Sequence, residues 1–111
     1  MMKIAMSPAA AALLRALLAR AGLDRSRILL TEFRSTDWQS LTFVGERHEI
    51  RFRIPGPDSK LTAARLLDGL EDAELEVWGH FVADISLADG PFNREDGSVE
   101  LGIEALTVAD S

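Results

Sequence analysis

The 111-residue chain has no cysteine, which removes disulfides, thiolate metal sites, iron–sulfur clusters and a cysteine nucleophile together. It has no tyrosine, so no phenol is available as acid or base. No apolar run approaches the roughly 20 residues that span a bilayer, and no membrane partner is expected. Basic residues are outnumbered, 12 lysines and arginines against 18 acids for a net charge of −6. Nucleic-acid footprints are normally basic, so nucleic acid is not the expected partner either. The glycines Gly45, Gly56, Gly69, Gly79, Gly90, Gly97 and Gly102 are spread singly, without a G-x-G-x-x-G or a phosphate-binding loop. No cofactor is expected. No serine lies in a G-x-S-x-G context, and no catalytic residue is assigned.

What remains is an ordinary globular composition, 47% hydrophobic and 27% charged, long enough to form one domain over residues 1–111 with its own core. The average charge hides an asymmetry. Residues 1–54 hold nine basic and five acidic side chains, whereas residues 55–111 hold three basic and thirteen acidic ones. Such a split reports either an interaction surface or charges that intermix once the chain folds.

The first twenty residues have the outline of a signal peptide, but Arg15 and Arg20 interrupt the apolar stretch and no small-x-small cleavage site follows. An amphipathic presequence is a second reading. A folded helix over 8–21 explains the residues better: Ser7 is a cap, Pro8 suits the first helical position, and Gly22 is a stop with Leu23 placed to fold back. Ala10, Leu13, Leu14, Leu17, Leu18 and Ala21 then form one apolar face. The expected compartment is the cytoplasm.

From Arg27 the period changes to two. Strands are predicted over 28–34, 38–44 and 47–54, with turns at Ser35-Thr36-Asp37 and Gly45-Glu46. In the third, His48, Ile50, Phe52 and Ile54 point one way and Arg47, Glu49, Arg51 and Arg53 the other. Pro55-Gly56-Pro57 ends the meander, and Asp58 caps a second helix over 59–68, with Ala63, Leu66, Leu67 and Leu70 as its buried stripe. Alternation then predicts a long strand over 75–87, with Leu75, Val77, Phe81, Ala83, Ile85 and Leu87 inward and Trp78, His80, Val82 and Asp84 opposite. Thirteen extended residues reach about 43 Å, so a bend is expected at Gly79. A polar loop over 88–97 and a last strand over 98–108 complete the order α-β-β-β-α-β-β. The expected fold class is α+β: two layers, an antiparallel sheet of about five strands with both helices on one face.

Few residues are candidates for chemistry. His80 and Asp84 are four apart, but on a strand that spacing is about 13 Å, too far for two ligands of one ion; no metal site is expected. His48 reads as a half-buried histidine at a sheet end with one nitrogen on the backbone, or as a general base beside Glu46. Arg47, Arg51 and Arg53 form a basic row, with Arg34 on an adjacent strand, of the kind that grips phosphates. The order αβββα is also similar to that of double-stranded-RNA-binding domains, but their lysine cluster at the second helix is replaced here by Gly56-Pro57-Asp58-Ser59-Lys60. Trp78, beside His80 and Val82 on a nominally wet face, implies that something covers that face: the loop 88–97, or a second subunit. The leading expectation is a non-enzymatic, self-associating binding or assembly module whose partner is itself, as a two-fold homodimer. The alternative is a small-molecule-binding protein or enzyme with a cleft near Trp78, His80 and His48. A nucleic-acid binder using the arginine row is the third.

Overall fold

The computed structural model describes residues 6–110; the start of the leader-like stretch, residues 1–5, lies outside them. Helix α1 spans Pro8–Ala21. The Ser7 hydroxyl accepts from the Ala10 N–H at 3.1 Å. Past Gly22, the Leu23 N–H donates back to the Leu18 carbonyl at 2.9 Å, which satisfies carbonyls that the last turn would otherwise leave bare. Leu13, Leu14, Leu17 and Leu18 are buried, so α1 is part of the folded core.

Between the helices the structure has two strands where the sequence predicts three: β1 (Leu29–Gln39) and β2 (Val44–Ile54). Ser35, Thr36 and Asp37 do not turn; they pair with His48, Arg47 and Glu46 in one ladder. Turn preference is a local effect, and a long cross-strand ladder outweighs it when the polar side chains remain solvated on an edge strand. The reversal falls at Ser40–Phe43, where the Ser40 N–H donates to the Phe43 carbonyl at 2.8 Å and the Phe43 N–H to the Ser40 hydroxyl at 3.1 Å. Gly45, also expected to turn, lies in the ladder opposite Trp38 and Val108. A β-carbon there would come within 2.1 Å of the Thr107 carbonyl oxygen, so close approach of β2 to its neighbour is what needs glycine. With two strands between the helices, the order shared with double-stranded-RNA-binding domains is lost.

Helix α2 spans Ser59–Leu67 with Ala63 and Leu66 buried and Leu70 just beyond. Asp58 precedes it, but its carboxylate makes no capping bond; the Ser59 hydroxyl instead donates to the Gly97 carbonyl at 2.5 Å. Arg20 ties the helices together, its Nε donating to the Leu66 carbonyl at 2.9 Å.

The expected long strand breaks at Gly79, whose φ of 79° is left-handed and reverses the chain rather than bending it. Strand β3 begins only at His80 and runs to Asn93, so most of the expected loop 88–97 is strand; β4 covers Val99–Ala109. The reversal at Gly79 and a bulge at Ala83 reset the side-chain phase. Val82 packs on the core while Phe81 and Ala83 are exposed, the opposite of simple alternation. The sheet is antiparallel throughout in the order β1-β2-β4-β3. Both helices cover the face bearing Ile50, Phe52 and Ile54 of β2 and Leu101, Ile103 and Ala105 of β4. The architecture is therefore α+β and two-layered as expected, with four strands instead of five and the order α-β-β-α-β-β. Among the described residues, no helix is long and apolar enough to cross a membrane.

Candidate functional site

The sheet face away from the helices is organised in rows that run across the strands. One row is Trp38, Gly45, Val108 and Phe81; the next is Thr36, Arg47, Leu106 and Asp84; then come Arg34, Glu49, Glu104 and Ser86, and beyond them Glu32, Arg51, Gly102 and Asp89. The rows grade from aromatic to charged. The arginine row lies on this face, but acids answer most of it. Arg34 sits 3.5 Å from Glu32 and 3.4 Å from Glu49. Arg51 pairs with Asp89, a bond that holds its guanidinium charged beyond the ordinary value. Arg53 lies 3.9 Å from Glu100, which Arg94 also grips and holds below the usual carboxylate range. The basic and acidic halves thus intermix, and a phosphate backbone would have to displace carboxylates already in place. Arg47 and Asp84 stand outside any ion pair among the described residues.

His48 faces the helices and is 0% exposed, more deeply buried than the sequence suggests. Its nitrogens meet hydroxyls rather than backbone: Nδ1 is 2.7 Å from the Ser35 Oγ and Nε2 is 2.8 Å from the Thr107 Oγ1. The Thr107 hydroxyl donates onward to the Glu46 carbonyl at 3.5 Å. That direction assigns the Nε2–H as donor to Thr107 and leaves Nδ1 to accept from Ser35. Burial pushes the imidazole pKa down; the Glu46 charge opposes this and the His80 charge adds to it. An imidazole held neutral, with both nitrogens occupied, is a structural group here rather than a free base.

Trp78 is not on the sheet face. It sits in the reversal before β3, 93% exposed, and since residues 88–93 are strand, the loop expected to cover it is not there to do so. The His80 Nδ1–H donates to the Trp78 carbonyl at 3.2 Å. The bulge at Ala83 puts His80 in line with Ala109 and Asp84 with Leu106, on opposite faces, so the two do not converge. Trp78 and His80 do line a groove of about 1020 Å³ between α1 and residues 74–81, whose walls also include Ala12, Arg15, Ala16 and Glu76. His48 is not among its walls.

The sequence reading missed the surface next to this groove. Phe43 meets Phe81 edge to face, ring centres 6.4 Å apart, across the end of β4. Leu41 at the hairpin tip is 101% exposed, and Phe43, Val44 and Phe81 are exposed as well. One signal was available: residues 38–45 carry no charge in a chain that is 27% charged. No protein-family model matches this chain, and no curated protein and no solved structure matches it.

Proposed function

We propose that this chain is a non-enzymatic, self-associating binding module that works as a homodimer in the cytoplasm. The observation that carries the reading is the apolar end of the sheet, where Leu41, Phe43, Phe81 and Trp78 are exposed and Phe43 and Phe81 meet across β4. Contiguous exposed apolar surface on a small domain marks an interaction site, and aromatic residues are enriched at the centres of such sites. Self-association is favoured because homo-oligomers are commonest as two-fold dimers that use one patch twice. The cytoplasm suits a chain that relies on no disulfide.

Sedimentation equilibrium tests the reading. The wild type should run near 24 kDa, about twice the 12.2 kDa chain, and Trp78→Ala should shift it toward monomer. A wild type that stays monomeric at high micromolar concentration overturns it.

A second reading, a small-molecule site, rests on the groove that Trp78 and His80 line. Binding to the folded state raises the melting temperature. A metabolite that does so for the wild type and not for Trp78→Ala would favour this reading over the first.

A further inference from the structure

The apolar end has a pattern that selects its partner. Its exposed side chains lie at one end of the sheet: Leu41 in the β1–β2 turn, Phe43 and Phe81 in contact across β4, and Trp78 in the turn that leads into β3, beside Phe81 along the groove. Leu41 and Trp78 are the most exposed of them, at 101% and 93%. One is a small aliphatic knob and the other a broad aromatic plate. One row in from this end, Arg47 lies on the Leu41 side of Leu106 and Asp84 on the Trp78 side, and neither has an ion-pair partner among the described residues.

Resting on the self-association reading, we infer that two copies pack these ends face to face about a two-fold axis along β4, with Leu41 of each on Trp78 of the other and Arg47 of each opposite Asp84 of the other. A two-fold over β4 exchanges the β2 side for the β3 side. It therefore brings knob to plate and positive to negative in one operation, with the exposed Phe43–Phe81 pair nearest the axis and Leu106 and Val108 already buried beneath it. A second copy supplies the aromatic plate and both charges at matching positions. The contact stops short of Glu104, one row further, where the same axis would set like carboxylates together. The right-handed twist of the sheets carries those rows apart.

Leu41 and Trp78 are exposed, so charged replacements there leave the isolated fold intact, and melting curves check that. Leu41→Glu and Trp78→Arg should each weaken association at least about ten-fold. An equimolar mixture should associate at least about ten-fold more tightly than either alone, because the mixed dimer keeps one Leu–Trp contact and gains one Glu–Arg pair. Arg47→Glu mixed with Asp84→Arg should recover in the same way on a smaller scale. A wild-type dimer indifferent to Leu41→Glu and Trp78→Arg, or a mixture without recovery, overturns this pairing and leaves self-association standing. A wild type that is monomeric overturns both. A monomer that floats with phosphatidylcholine vesicles through the same tip assigns the apolar end to a bilayer surface and also overturns the pairing.

Discussion

Arg51 and Asp89 meet directly above Gly102, where the missing side chain lets β2 and β3 reach each other across β4. This contact, with that of Arg53 and Glu100, joins the basic first half of the chain to the acidic second half. It also removes the reason to read the arginines as a phosphate-binding row. A filter-binding titration at about 0.15 M salt should accordingly find only ordinary non-specific affinity, roughly 10⁻⁴ to 10⁻⁶ M. Nanomolar binding that Asp89→Ala strengthens and Arg51→Glu weakens would restore the nucleic-acid reading.

Leu17 tests whether α1 belongs to the fold. It is fully buried against both layers, and its truncation leaves a cavity as well as lost burial. Leu17→Ala should cost about 2 to 5 kcal/mol in urea denaturation. If residues before Gly22 were a removable leader, the same substitution would leave the unfolding midpoint where it was.

The elements that could be read from the sequence are those in which local and global preferences agree. The α1 stripe, its cap and its stop all point to one helix, the alternation of β2 from His48 to Ile54 matches what is buried, and the β4 residues expected inward, Val99, Leu101, Ile103 and Ala105, are in the core. The misreadings share a cause: a local signal overruled by pairing. Ser35-Thr36-Asp37 has turn chemistry yet sits opposite His48, Arg47 and Glu46, and no local feature of those residues announces the ladder. The reversal at Gly79 put Phe81 and Val82 out of the expected phase, and the one-residue bulge at Ala83 returns Ile85 and Leu87 to the helix face, opposite Ala105 and Ile103, where alternation placed them. Trp78 was assigned to a sheet face instead of the turn that Gly79 forms. Leu41 was overlooked because a hydrophobic residue between strand-like segments reads as strand.

Gly45 carries a prediction that its turn-like neighbourhood conceals. Its backbone approaches Thr107 so closely that an added methyl has nowhere to go, and the obstacle is backbone, which cannot rotate aside. Gly45→Ala should therefore destabilise by about 1 to 3 kcal/mol or more, as overpacking does. Gly97→Ala provides a contrast, since an added methyl there meets open space and only its left-handed φ of 87° opposes it. Equal and negligible effects in thermal melts would mean that β2 and β4 are further apart than described.

The last prediction concerns pH and follows from His48. Burial, reinforced by the charge of His80 and opposed by that of Glu46, keeps its folded pKa below the ordinary 6.5. The unfolded chain takes up a proton near 6.5, whereas the folded chain takes it up only at lower pH. Between those points the unfolded state binds more protons, so stability falls as the pH is lowered through this window and is flat above it. Other groups titrate elsewhere: Glu100, held down by Arg94, and Asp96, held down by Ser98, lose their contributions below their ordinary values of 4.5 and 3.8. Urea midpoints for the wild type should therefore drop between about pH 7.5 and pH 5.5, a range that brackets the histidine value and lies above the carboxylates. His48→Gln keeps hydrogen-bonding capacity toward Ser35 and Thr107 but has no proton to gain. It should start less stable at the upper pH, because its shape does not fill the imidazole site, and lose less on acidification. His80→Gln serves as the control, since His80 acts on this site only through its charge. If the wild type and His48→Gln decline in parallel, the buried imidazole is not the group that senses pH.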